Sequence, residues 1–296
     1  METLMKKTYL IIALTMVSEL LIPKTAAAFS WPEGAALAQI VSALKQEIAS
    51  AKALAKNAKS ATPISATAYV AIDMVTGKVL LQKNPDIAYP IASVTKLMNA
   101  VVTLENNDKN KTVAVTDKML KPEGTSPAIF KGLNITVGKL LQAALIQSTN
   151  DAAESLAYSV GKEKFIGLMN QKAKDLKMSK TAYYDASGLD KRNKSTANDL
   201  AKLLTYVRAQ HPEILETTKK NDFWLPDKEG TLMKFRNMND FYNYSAFLGG
   251  KTGYTPEARQ TFASVFDVKS KPVAIVILRS ANYQADTFKI LKQLNK

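Results

Sequence analysis

Apolar and polar positions follow two rhythms along this chain, and the rhythm changes near residue 67. Between 33 and 57, Leu37, Val41, Leu44, Ile48, Ala51 and Ala55 recur at spacings of four and three, with Lys45, Glu47, Lys52 and Lys56 on the other faces. That spacing predicts an amphipathic helix, either a surface-binding or coiled-coil element or a spacer packed on the main domain. Lys59–Ala66, with Ser, Thr and Pro, reads as a linker. From Thr67 the runs turn strand-like: Tyr69–Met74 and Lys78–Gln82 flank Thr76-Gly77, a β-hairpin signal. Helical spacing returns after Pro90, with Leu97, Met98, Ala100, Val101 and Leu104 on one stripe. A short strand is expected at Thr112–Val115. Helices are expected at Val137–Ile146, Asp151–Val160, Glu163–Leu176 and Ala197–Ala209.

The final third goes back to strands. Asn221–Leu225 and Thr231–Phe235 flank the turn Asp227–Gly230. Lys251-Thr-Gly253 opens a strand region, Gln260–Val268 and Pro272–Arg279 form a hairpin, and Asp286–Leu294 closes as a helix. Strands at both ends with helices between them predict an α+β fold. An antiparallel sheet would be built from both ends of the chain, and the helices inserted between would form a lobe. A cleft between sheet and lobe is the natural place for a site.

Composition narrows the chemistry. Of 296 residues none is Cys and one is His, His211, which is expected at the surface. Thiol catalysis, disulfides and Cys-based zinc are out, and a metal site built from two or three imidazoles is not expected. The net charge of +14 favours polyanionic surroundings. The Lys and Arg residues are scattered, however, and no nucleic-acid motif stands out. Lys6 and Lys7, the apolar run Tyr9–Val17 and Ala26-Ala27-Ala28 read as an export signal over residues 1–28, cleaved after Ala28. The protein is therefore expected in the periplasm or at the extracytoplasmic cell surface. Contact with an anionic wall or membrane surface would run through residues 33–57.

Three short motifs fall in order: Ser93-Val-Thr-Lys96, Ser148-Thr-Asn150 and Lys251-Thr-Gly253. Each is cheap alone. Ser42-Ala-Leu-Lys45 repeats the first and Ser280-Ala-Asn282 the second. Order, spacing and setting make the match specific: a serine opening a helix, a Ser-x-Asn after an apolar helix, a Lys-Thr-Gly before a strand hairpin. Together they resemble the signatures of the penicillin-binding protein and serine β-lactamase superfamily. The flanks Ile91–Met98, Ser187-Gly-Leu189, Ser195–Leu200 and Gly250–Thr255 look like the low-molecular-mass D-alanyl-D-alanine carboxypeptidases and endopeptidases. The resemblance covers residues 66–296 and implies a β-lactamase/transpeptidase-like fold. It does not extend to 33–57. The extra β-domain and C-terminal membrane helix of the larger carboxypeptidases are expected to be missing.

The chemistry follows from the residues. Ser93 must lose a proton to attack a carbonyl, and Lys96 is one helical turn away. A free lysine is charged at neutral pH, so burial and a second cation, Lys251, must lower its pKa. Ser148 can relay the proton to the leaving amine, and Asn150 can hold Lys96 and the substrate amide. Gly253 would let the substrate backbone lie along the strand edge. The resemblance implies an oxyanion hole made by the backbone N–H groups of Ser93 and Tyr254. It also implies that Lys251 and Thr252 bind the terminal carboxylate. Arg259 and Arg279 are further candidates to grip a carboxylate, although Arg259 stands where the family more often has Gly.

The expected function is a serine D-alanyl-D-alanine carboxypeptidase working through an acyl-enzyme on Ser93. Peptidoglycan stem peptides would be its substrates and β-lactam antibiotics its covalent inhibitors, with no metal or organic cofactor and no nucleic-acid partner. Alternatives are a D,D-endopeptidase, a serine β-lactamase and a non-catalytic wall-binding protein. The Glu-x-x-Leu-Asn stretch that serves deacylation in class A β-lactamases is absent between Asn150 and Lys251.

Overall fold

The computed structural model describes residues 63–120, 123 and 126–296; the expected export signal and the amphipathic helix at 33–57 lie outside the described residues. The first hairpin forms as expected from β1 (Ala68–Asp73) and β2 (Val79–Lys83). Gly77 takes φ +71° in its turn, and the Asp73 carboxylate accepts the N–H groups of Val75 and Thr76. Strand β3 (Tyr89–Pro90) leads into a short 3-10 turn, Ala92–Val94, and then α1 (Thr95–Asn106). The lobe follows: β4 (Thr112–Ala114) pairs with β5 (Asn134–Thr136) and is followed by α2 (Val137–Gln142), α3 (Asn150–Tyr158) and α4 (Lys162–Asp175). Strand β6 (Lys194–Ser195) pairs back onto β3, and α5 (Ala197–Gln210) and α6 (Pro212–Thr218) complete the helices before the sheet resumes.

The hairpin β7 (Asp222–Pro226) and β8 (Leu232–Arg236) stands as its own two-stranded sheet. Then β9 (Phe247–Thr255), β10 (Arg259–Val268) and β11 (Lys271–Ser280) run antiparallel, and α7 (Tyr283–Leu294) closes the chain. The five-stranded order is β2-β1-β11-β10-β9. The two ends of the domain thus meet at the centre of the sheet, where Val70 faces Val276 and Ala71 faces Ile275. This is the α+β architecture expected from the order of the strand and helix runs.

The sheet is covered on both faces, which explains why β11 reads as an unbroken apolar run, Val273–Leu278, all buried. One face, with Val70, Ala263, Val265, Ala274, Val276 and Leu278, packs against the lobe. The other carries Phe262, Phe266, Ile275 and Ile277, and packs against Phe241, Phe247 and the Ile290 and Leu291 stripe of α7. Each fully buried large apolar side chain contributes about 2 kcal/mol by removal from water. Asp286, fully buried on α7, accepts the backbone N–H and hydroxyl of Ser65, so the chain is tied in at Ser65, one residue ahead of the expected boundary at 66.

Three details depart from the sequence reading. The helix expected over Val137–Ile146 is α-helical only to Gln142; Ala143–Gln147 widens into a π turn that ends at Ser148 with φ +65°. The Lys-Thr-Gly motif lies in the middle of β9 and does not open it, because Phe247 and the buried Gly249 already pair with β10. His211 is not a simple surface residue. The helix break at Pro212 turns it back, so that Nε2 lies 3.3 Å from Glu105 Oε1 and the ring packs beside Tyr206.

Candidate active site

Ser93 sits in the 3-10 turn where β3 meets α1, and Lys96 lies one turn further, in the first turn of α1. The neighbouring apolar residues Ile91, Val94, Leu97 and Met98 are fully buried, which drives this end of α1 into the interior and takes Lys96 with it. The Lys96 side chain is wholly buried yet has three oxygen neighbours: Ser93 Oγ at 2.9 Å, Asn150 Oδ1 at 2.8 Å and the Ser187 carbonyl at 2.8 Å. As an ammonium, Lys96 donates to all three. As a neutral amine it keeps two N–H bonds and one lone pair. The two N–H groups then serve Asn150 and Ser187, and the lone pair accepts the Ser93 hydroxyl proton.

Electrostatics favour the neutral form. Burial holds the Lys96 amine well below its ordinary pKa, and the Lys251 charge pushes the same way; Asp185 and Glu154 oppose both. Lys251, buried in mid-β9, is itself pushed down to about 7 by burial. Its amine donates to the Thr252 carbonyl at 2.9 Å.

The motifs converge from three elements. Asn150 begins α3 and is fixed by donating to the Glu123 carbonyl at 2.9 Å. Ser148, in its left-handed conformation, stands at the end of the π turn, and its hydroxyl has no hydrogen-bond partner among the described residues. Thr252 and Gly253 lie on β9, the edge strand, and Tyr254 projects its ring outward, 68% exposed. Gly253 is required for a reason additional to the expected one. A Cβ there would lie 2.6 Å from Thr261 Oγ1 and 2.8 Å from Ser93 N, so a side chain would push β9 off the serine turn.

Arg279 is not beside Lys251. It lies toward the Tyr254 end of the sheet, where Nη1 donates to the Glu257 carbonyl at 2.8 Å and the guanidinium stands 5.6 Å from the Tyr89 ring centre. Arg259 has φ +54°, which accounts for glycine being favoured at that position.

Sequence reasoning missed the residues that hold the site together. Asp185 Oδ1 accepts Gly188 N at 2.7 Å and Asn193 Nδ2 at 2.8 Å, and its Oδ2 accepts Asp190 N at 2.9 Å. This closes the loop that aims the Ser187 carbonyl. Asn99 donates to the Ala153 and Ala186 carbonyls, tying α1 to α3 and to that loop. Thr261 Oγ1 lies 3.0 Å from the Ile91 carbonyl and 3.1 Å from that of Gly253, linking the serine turn to β9. The signal available was the turn-forming run Asp185–Asn193, rich in Asp, Gly, Ser and Asn.

A family model described as D-alanyl-D-alanine carboxypeptidase, peptidase S11, matches residues 55–282. The chain is similar to the D-alanyl-D-alanine endopeptidase of Pseudomonas aeruginosa, 37% identical over 215 residues, covering 70% of this chain and 68% of that one. It is also similar to the D-alanyl-D-alanine endopeptidase of Escherichia coli K12, 35% identical over 243 residues, with 77% and 76% covered. Among solved structures, penicillin-binding protein D2 of Listeria monocytogenes, in its cefotaxime-bound form, superposes with a TM-score of 0.71 at 32% identity, covering 80% of this chain and 100% of that one.

Proposed function

This chain belongs to the peptidase S11 family of D-alanyl-D-alanine carboxypeptidases, and from that premise we propose that it trims peptidoglycan stem peptides through an acyl-enzyme on Ser93. It is a serine-type peptidase, a hydrolase of the penicillin-binding class. The observation that carries the assignment of roles is the 2.9 Å approach of the buried Lys96 amine to Ser93 Oγ.

The steps are these. Lys96 Nζ takes the hydroxyl proton as Ser93 Oγ bonds to the carbonyl carbon of the penultimate D-alanine. The oxyanion that forms accepts hydrogen bonds from the N–H groups of Ser93 and Tyr254. The amide C–N bond then breaks. The departing amine takes a proton relayed from Lys96 through the Ser148 hydroxyl, which has no hydrogen-bond partner among the described residues. Water then attacks the ester carbonyl and gives a proton to Lys96; the C–O bond to Ser93 breaks, Lys96 returns that proton to Ser93 Oγ, and the shortened peptide leaves as its carboxylic acid. Lys251 and Thr252 hold the terminal carboxylate, and Asn150 and Gly253 orient the donor. β-Lactams acylate the same serine and leave slowly. Ser93→Ala should abolish both penicillin labelling and release of D-Ala from a stem pentapeptide; full activity in that variant would overturn the proposal.

A second reading, D,D-endopeptidase, is favoured by the endopeptidase names of two relatives at 37% and 35% identity. The two readings cleave after the same D-alanine and differ in the leaving amine. Digestion of purified cross-linked muropeptides, followed by mass spectrometry, shows which bond goes.

The catalytic domain is assigned to residues 66–296 and the export signal to 1–28, with action in the periplasm or at the extracytoplasmic surface. The helix pattern at 33–57, with its lysines on the polar faces, supports contact with an anionic wall or membrane surface. Deleting 29–62 should reduce sedimentation with walls or anionic vesicles; unchanged sedimentation removes that role.

A further inference from the structure

A cavity of about 470 Å³ lies at the Thr255 end of β9. Lys191, Arg192, Lys194 and Arg279 line it, against the single carboxylate of Glu257, with Tyr89 as part of its wall. Arg192 is already bound to Asp190, with Nη2 2.6 Å from Oδ2. Lys191 and Lys194 have no side-chain hydrogen bond or salt bridge among the described residues. Arg279 is held in place by the Glu257 carbonyl and the Tyr89 ring. One N–H of its five-donor fork is committed there, and the others remain to be used. Lys194 and Arg279 have no carboxylate in contact among the described residues, Lys191 faces only the Asp190 carboxylate that Arg192 already holds, and all of them line one concave surface. Such an arrangement suits an anion with several oxygens.

The cavity's place relative to the site gives the anion a source. With a terminal carboxylate at Lys251 and Thr252, and the reacting carbonyl at Ser93 and Tyr254, the donor chain must run from its carboxyl end at Thr252 toward Thr255 and beyond. β9 ends one residue past Tyr254, Glu257 lies in the turn that leads to β10, and Tyr89 and Pro90 on the cavity wall directly precede the serine turn, so the cavity adjoins the reacting centre on that side. It is within reach of a long side chain on the residue before the penultimate D-alanine. We propose that this cavity is an anion subsite for the donor peptide, binding a side-chain carboxylate on the residue that precedes the penultimate D-alanine. The inference rests on the D,D-peptidase reading and adds to it a selectivity between acidic and amidated donors.

The test uses two peptides, N-acetyl-X-D-Ala-D-Ala, in which X carries a long side chain ending in a carboxylate or in the matching carboxamide. Calorimetric titration of Ser93→Ala protein reads binding without turnover. The carboxylate peptide should bind about fivefold tighter, as expected for partly exposed charge-assisted contacts. Adding Lys191→Ala and Lys194→Ala in the same background should bring the two affinities within twofold. The ratio is read on one protein sample, so partial unfolding lowers both affinities and leaves the ratio unchanged. Equal affinities before the lysines are removed, or an undiminished preference after, overturn the subsite. D-Ala release is measured separately on protein with Ser93 intact. Failure to release D-Ala, with the binding preference present, overturns the peptidase reading and leaves the anion subsite standing.

Discussion

Lys96 Nζ lies 2.8 Å from the backbone carbonyl of Ser187, a residue 91 positions further along the chain. That carbonyl is aimed by Asp185, whose carboxylate accepts the N–H groups of Gly188 and Asp190. Asp185 also acts on the amine through space, favouring its charged form. The two effects separate on substitution. Asp185→Asn removes the charge, so Lys96 should titrate at lower pH than in the unsubstituted protein. The acid limb of penicillin acylation should then move downward. An unmoved limb with a uniformly slower rate would assign Asp185 to loop closure alone.

Lys251 gives the opposite limb. Its amine, pushed down to about 7, must be charged to attract a substrate carboxylate. Above that pH the free enzyme loses the cation, so kcat/KM should fall toward pH 9, by up to about tenfold per unit. Bound carboxylate favours the ammonium, so kcat should hold over the same range. Lys251→Arg, which stays charged, should remove the alkaline fall in kcat/KM. A fall that persists in that variant assigns the limb elsewhere.

Stability has its own sign. An unfolded lysine titrates near 10.5, whereas folded Lys251 titrates near 7. Between these values the unfolded chain binds a proton that the folded chain does not, so folding stability rises with pH. Lys96, also held well below its ordinary pKa by burial, adds a slope of the same sign. Each contributes at most about 1.4 kcal/mol per pH unit. Tyr183 and Tyr283, whose pKa values are raised in the fold, act against this only where free tyrosine ionises, near pH 10. Urea midpoints should therefore increase from pH 7 to 9, and Lys251→Met should flatten the increase.

How much of this was legible beforehand depends on how local each feature is. The stripe Leu97, Met98, Val101 and the unbroken run Val273–Leu278 announced α1 and β11, because burial of one face or two faces leaves a periodic trace. Ser93 and Lys96 were legible because one helical turn brings them together. Ser187 was singled out only within the family-like Ser187-Gly-Leu189, and its role was not legible: its contribution is a backbone carbonyl, which any residue supplies, positioned by Asp185 and Asn193 through a loop with no period. The need for glycine at 253 was legible, but one reason for it was not. The crowding against Ser93 N exists only once β9 and the serine turn are folded together.

Glycine also provides a graded test. A Cβ at Gly188 would lie 2.0 Å from the Ala92 carbonyl oxygen, at φ +94°, with backbone on both sides of the clash. Gly230, at φ +86° in an exposed turn, has nothing within 4 Å of the same position. Gly230→Ala should cost about 1 kcal/mol for conformation alone. Gly188→Ala should cost about 2 kcal/mol more through overpacking, and should slow acylation by moving the residue next to Ser93. Chemical denaturation of the two variants measures the difference. Equal losses would mean that the 185–193 loop yields without disturbing Ala92.

The last test asks whether Lys96 serves as base or as cation. Lys96→Met removes the lone pair and the charge together, leaving Ser93 with no acceptor for its proton. Lys96→Arg keeps a charge that does not dissociate in a protein. If Lys96 acts by taking the Ser93 proton, both substitutions should slow fluorescent-penicillin labelling by about a thousandfold, and Arg should be no better than Met. In each, the residual rate should rise with hydroxide concentration, since solvent must then supply the base. If the amine acted by stabilising negative charge, Arg would recover a large part of the rate and its pH dependence would be flat. The three oxygen neighbours of Nζ favour the first outcome. Two acceptors saturate the N–H groups of a neutral amine, and the third position, toward Ser93 Oγ at 2.9 Å, is where the lone pair points.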